Sequence, residues 1–110
     1  MFSLYSVECN VEDSVFEYRV YDDYGISIIA YARVLRTEEW AEIKIINVNR
    51  EYRGRGIGSI LLTRIVKDHS NCTIIVETFK YLIDWYKRFN FKLVCENPVI
   101  MMKHESQQSL

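Results

Sequence analysis

The first half of the chain alternates apolar and polar side chains with a period of two, the pattern of half-buried strands. From Val15 to Tyr21, Phe16, Tyr18 and Val20 alternate with Glu17 and Arg19. A second run, Ile26 to Leu35, follows the turn-forming Asp22-Asp23-Tyr24-Gly25 and places Ile26, Ile28, Ala30, Ala32 and Val34 on one face. A third, Glu42 to Val48, follows the polar Arg36-Thr37-Glu38-Glu39, so three strands on short turns predict an antiparallel meander. Phe2 to Glu8 adds an edge strand and leaves Cys9 to Ser14 as its connection. The third run breaks its own alternation: Ile43 and Ile45 point one way, Ile46 and Val48 the other. A residue inserted into the ladder, a β-bulge, produces such a break, and so does a strand buried on both faces.

After Val48 the period becomes helical. Ile57, Ile60, Leu61, Ile65 and Val66 form an apolar stripe with Arg64, Lys67 and Asp68 on the wet side, ending near His69-Ser70-Asn71. Thr73 to Glu77 reads as a short buried strand, and Tyr81 to Phe89 as a second helix closed by Asn90, which tolerates the left-handed conformation. Phe91 to Cys95 and Val99 to Lys103 make a final strand pair split by Asn97-Pro98, and residues 106–110 a frayed tail. The elements predict one domain over residues 1–105, of α/β (α+β) class, with two helices on a largely antiparallel sheet of six or seven strands. An unpaired last strand, Val99 to Lys103, would offer an edge through which a homodimer forms.

Composition narrows the function classes. The 110 residues are 49% hydrophobic and 26% charged, which fits a single folded domain and excludes a disordered chain. Fourteen Lys and Arg against fifteen Asp and Glu give a net charge of -1, so no global basic field points to nucleic acid or a membrane surface as partner. Cys9, Cys72 and Cys95 are odd in number and lack CxxC or Cys/His clustering, which argues against a disulfide framework and a metal site and for reduced thiols in the cytoplasm. No apolar run approaches the roughly 18 residues of a membrane helix, and Met1 to Asn10 lacks the charged start of a signal peptide.

The chemistry concentrates in Val48-Asn-Arg-Glu-Tyr-Arg-Gly-Arg-Gly-Ile-Gly-Ser59, a strand end, a glycine-rich turn and a helix start. Gly54, Gly56 and Gly58 let backbone N–H groups converge, and the helix N-terminus adds the positive end of its dipole. Arg53 and Arg55 raise the local positive charge, so the ligand should carry phosphates. A Walker A loop would need a lysine after the last glycine, and a dinucleotide fingerprint would place the third glycine one residue later.

The arrangement Arg53-x-x-Gly56-x-Gly58, after a strand and opening an amphipathic helix, resembles the acetyl-coenzyme A pyrophosphate loop of the GNAT superfamily of N-acetyltransferases. Val48, Arg53, Gly54, Gly56 and Gly58 match that loop, with Arg50 where proline is common. Trp85-Tyr86-Lys-Arg-Phe-Asn90-Phe91 is similar to the family's later F-Y-x-x-x-G-F signature. The resemblance implies a GNAT-like fold and transfer of an acetyl group from acetyl-CoA to a primary amine by direct attack on the thioester, with a small-molecule or peptide acceptor. It implies that Arg53, Gly54, Arg55, Gly56, Ile57, Gly58 and Ser59 hold the pyrophosphate, and that Val48 and its bulged strand face the pantetheine arm. A backbone N–H near Ile46 or Asn47 would be the oxyanion donor, Tyr86 the acid, and Glu42 a general base acting through water.

The departures lie on the acceptor side. Phe79 stands where the family often has asparagine, Leu82 where a small residue is usual, and Cys9 to Ser14 is too short for the pair of helices that builds the family's acceptor site. The chain therefore also fits a non-catalytic acyl-CoA-binding module of the same fold, acting in regulation or protein interaction. Tyr86, beside Trp85 and Phe89, also fits a packing role, and Glu42 a solvated strand end. His69 reads as a helix terminator, while His104 and Cys72 have no partner in sequence that would make a nucleophile or a ligand pair.

Overall fold

The computed structural model describes residues 5–106. The chain runs β1 (Val7–Glu12), β2 (Val15–Tyr21), β3 (Ile28–Arg36), β4 (Trp40–Val48), a 3₁₀ turn at Arg50–Tyr52, α1 (Ile57–Asp68), β5 (Thr73–Thr78), a 3₁₀ turn at Lys80–Leu82, α2 (Ile83–Lys87), β6 (Lys92–Cys95) and β7 (Ile100–His104). The seven strands form one sheet in the order β1-β2-β3-β4-β5-β7-β6, and β4–β5 is its parallel pair. This is the mixed α/β architecture expected from the sequence.

The start of the sheet differs from expectation. The first strand lies at Val7–Glu12 and pairs residue for residue with β2, from Val7↔Val20 to Glu12↔Val15. A connection of only Asp13 and Ser14 remains, both at positive φ (48° and 70°), as a tight hairpin turn with the twist of its strands requires. Val7, Cys9 and Val11 oppose Val20, Tyr18 and Phe16, and this cross-strand apolar register shifts the strand C-terminal to the expected Phe2 to Glu8. Of that expected strand, residues 2–4 lie outside the described residues, as do residues 107–110 of the expected tail.

β3 starts at Ile28, because the preceding turn is longer than the alternation implied. The Asp22 carboxylate accepts from the N–H groups of Tyr24 and Ile26 at 3.2 and 2.9 Å, and the Asp22 N–H donates to the Ser27 carbonyl. Ile26 and Ile28 are exposed and Ile29 takes the buried position, while Ala30, Ala32 and Val34 face the core as expected.

Both helices lie on one face of the sheet. The connections β4–α1–β5 and β5–α2–β6 run in the same direction across it, and right-handed crossovers then place both helices together. A Cβ on Gly58 of α1 would sit 3.5 Å from the Trp85 ring of α2. Ile57, Leu61, Leu62 and Ile65 of α1 pack onto Tyr18, Val20, Ala32, Val34, Ile43 and Ile74 to make the core. Fully burying a side chain of this size stabilises by about 1.5–3 kcal/mol. Among the described residues no helix covers the opposite face, which carries Glu17, Arg33, Glu42 and Glu77.

Two further expectations change. The second helix is α-helical over five residues only, since Leu82 N–H bonds to the Phe79 carbonyl and Phe89 and Asn90 close i→i+3 bonds; Asn90 ends it at φ 68°. The last strand is not an edge. β7 pairs with β5 on one side and β6 on the other, so the expected dimer edge at Val99 to Lys103 is already satisfied within the chain.

Candidate functional site

The site begins with an irregularity in β4. Val34 pairs with Ile43 and Arg33 with Ile45, which leaves Lys44 as the inserted residue of a bulge. Ile43 is buried, Ile45 is turned out to 45% exposure, and Ile46 and Val48 return to pack against the core. The break in alternation is therefore a bulge, but Ile45 does not share the side of Ile43 as the sequence implied. One extra residue reverses the facing of everything after it.

At the bulge the sheet opens. The parallel β4–β5 ladder runs from Trp40↔Thr73 to Ile43↔Val76 and ends there, so beyond Ile43 the strand β4 is bonded to β3 alone. The open wedge, the N-terminus of α1 and the inner side of α2 enclose a cleft of about 490 Å³. Ile46, Asn47 and Val48 form its β4 wall, Arg53, Gly54, Gly56, Ile57, Gly58 and Ser59 its rim, and Tyr86 its α2 wall. The structure thus gathers ten of the twelve residues singled out from the sequence. Arg55 stands outside that lining, its guanidinium 4.9 Å over the Tyr52 ring, and Glu42 lies before the bulge, paired with Lys44 at 3.2 Å.

Gly54 and Gly56 adopt φ of 82° and 80°, the left-handed region that glycine enters without cost. Gly56 caps α1, whose first turn has neither a side-chain cap nor an acidic residue. Its leading N–H groups are therefore left for an anion, and the helix dipole adds to their pull. Arg53 is held at the rim by its Nε donating to the Val48 carbonyl at 3.1 Å. This donor set fits a diphosphate: convergent N–H groups, an unblocked helix start and a fixed guanidinium.

Tyr86 is 1% exposed and its ring meets Trp85 and Phe91 edge to face at 4.9 and 5.2 Å. Burial pushes its hydroxyl up to about 12, a shift that a hydrogen bond from Thr78 partly offsets. At neutral pH the phenol therefore keeps its proton, and it is suited to give one rather than to take one.

Tyr52, Tyr81, Leu82 and Trp85 complete the cleft. Tyr81 and Trp85 share a helical face at a spacing of four, which was the available signal, whereas Tyr52 arrives through a 3₁₀ turn that no periodicity announces. His69 caps the opposite end of α1 and takes no part in the cleft.

The acetyltransferase (GNAT) domain profile matches residues 16–93. The chain belongs to the GNAT acetyltransferase family. It is accordingly an N-acetyltransferase with acetyl-CoA as its cofactor. No protein of curated function matches the sequence. Among solved structures it is similar to the ribosomal-protein-S18-alanine N-acetyltransferase of Escherichia coli, with a TM-score of 0.80 at 15% identity over 91% of this chain and 74% of that one. A GNAT family acetyltransferase from Elizabethkingia anophelis with acetyl-CoA bound gives 0.80 at 14% identity, over 94% and 99% of the two chains. Arabidopsis thaliana NAA60 with a bisubstrate analogue gives 0.72 at 17% identity, over 87% and 78%. At such identities the likeness is one of fold. Among the described residues no helix is long and apolar enough to cross a membrane.

Proposed function

We propose that this GNAT acetyltransferase acetylates a primary amine that reaches the thioester from the helix-free face of the sheet. The observation that carries the reading is the end of the β4–β5 ladder at Ile43↔Val76, which leaves the β5-side edge of β4 unpaired beside the glycine loop and Tyr86. Acetyl-CoA, when bound, supplies the thioester whose acetyl group passes to the amine. The N–H groups from Gly54 to Ser59, with Arg53, would hold the diphosphate, and β4 beyond the bulge would offer its unpaired backbone edge to the pantetheine arm. The N–H of Ile46 would donate to the carbonyl oxygen as negative charge grows on it, whereas that of Asn47 points into the β3 ladder. Tyr86 would give its proton to the departing sulfur, and Glu42, on the face from which the acceptor comes, would receive the amine proton through water.

The acceptor is a small molecule or a peptide amine. The two-residue β1–β2 turn leaves the approach over Glu42, Ile45 and Glu77 without a helical cover among the described residues. A peptide N-terminus fits that open face, as the activity of the S18-alanine enzyme illustrates for its own substrate. The test is thiol release from acetyl-CoA against a panel of polyamines, amino acids and peptides, with wild type and Tyr86→Phe. Amine-dependent release that the variant slows supports the reading. Tight binding of acetyl-CoA without release for any amine would instead make the chain an acyl-CoA-binding module.

A further inference from the structure

A second cleft, of about 680 Å³, opens on the other side of α2, between its C-terminus and the β6–β7 hairpin. It shares no lining residue with the cofactor cleft. We infer that it is a separate ligand site, taking a small organic anion: a carboxylate or phosphate on an apolar body.

Its positive charge is only partly compensated. Lys87 and Lys92 line it and form no ion pair among the described residues, whereas the one acidic wall residue, Glu105, is engaged by Lys103 at 2.7 Å. Lys92 also stands directly opposite Lys103 in the β6–β7 ladder, a like-charge pairing that an anion relieves. Nearby cations hold the Glu105 carboxyl below its usual range, Lys103 foremost, with Lys92 contributing.

Its inner wall has an unmet hydrogen bond. His104 is 3% exposed, and its Nδ1 is the one buried side-chain nitrogen or oxygen without a partner among the described residues. Such an orphan is costly until something pairs with it. Phe91, tilted against the His104 ring at 5.3 Å, and the half-exposed Leu93 supply the apolar part of the wall. The cationic rim and apolar wall, with the unpaired imidazole nitrogen enclosed behind them, match an amphipathic anion rather than a neutral or cationic ligand.

The inference is tested by NMR titration of the labelled full chain with phenyl phosphate, benzoate and, as the neutral control, benzyl alcohol. The expected result is movement of the His104 ring signals and the amides of residues 87–93 with one or both anions, and little with the alcohol. A K87A/K92A double variant, changed only at exposed side chains, should bind roughly tenfold more weakly. Tighter binding of phenyl phosphate or of benzoate names the anion class. The inference is overturned if no anion moves these signals, if the changes fall only on residues 54–59, if the alcohol binds as well, or if the double variant binds like wild type. Loss of acetyl-CoA binding at the other cleft would leave each of these readouts intact.

Discussion

The guanidinium of Arg36 donates to Nδ1 of His69 at 2.9 Å, and this contact fixes the protonation of a buried network at the C-terminal end of α1. With Nδ1 accepting, the ring hydrogen sits on Nε2 and donates to the Tyr18 hydroxyl at 3.0 Å; that hydroxyl in turn donates to Asp68 at 3.0 Å. Arg64 completes the chain by donating to Asp68 at 2.9 Å. The network ties β2, β3 and the helix together far from the cleft.

Burial, with Arg36 beside it, lowers the His69 pKa from 6.5 to about 4. Between those values the unfolded chain binds a proton that the folded one refuses, so stability falls as pH drops through that window. The full difference is roughly 3 kcal/mol at 1.36 kcal/mol per pH unit. Chemical denaturation at pH 7 and pH 4 should show a decline of that order in wild type and a smaller one in His69→Gln. Equal declines would place the acid sensitivity elsewhere.

Gly56→Asp puts a like charge into the anion cradle and a side chain at a φ of 80°. The conformation costs about 1 kcal/mol of stability, since Asp tolerates it better than most residues. Acetyl-CoA affinity, measured by calorimetry, should fall at least ~100-fold, far beyond what the stability loss explains.

Gly58→Ala should behave in the opposite way. A Cβ there would meet Trp85 at 3.5 Å and Val48 at 3.6 Å, ordinary contact distances that require no displacement. Replacing glycine within α1 should raise stability by up to ~1 kcal/mol. The backbone N–H remains, so cofactor affinity should be retained; a large loss would show that the ligand needs the space and not only the donor.

Tyr86→Phe should leave acetyl-CoA affinity nearly unchanged and slow transfer by roughly 100-fold, the usual contribution of a positioned acid. Because burial pushes the hydroxyl up to about 12, its ionisation should produce no fall in rate below pH 10. An unchanged rate would mean that the ring serves packing alone.

The parts of the fold legible in the sequence are those set by local pattern. The α1 stripe, the alternation of Phe16, Tyr18 and Val20, and the left-handed stop at Asn90 each depend on a few neighbours. The glycine-rich turn and helix start after β4 were equally readable, because they lie in consecutive residues. What escaped depends on distant pairing. The position of β1 follows from its register with β2, and β7 becomes an interior strand because the last strand folds back between β5 and β6. The His69 network joins residues 33 to 51 positions apart, so nothing near His69 in sequence announces it. At the site, alternation located the bulge, but only the ladder shows that Lys44 is the inserted residue.

The central claim, that the cleft at the open end of the β4–β5 ladder holds coenzyme A by its diphosphate, is tested most directly by the melting temperature of the full chain. Acetyl-CoA, coenzyme A, NAD and ATP would be compared in parallel, each at high excess. Ligand at 100 times its Kd stabilises by about 2.7 kcal/mol. The account predicts a rise of several degrees with both coenzyme A species, absent in Gly56→Asp, and little with NAD or ATP. No rise with either coenzyme A species, or an equal rise with all four ligands, would contradict it.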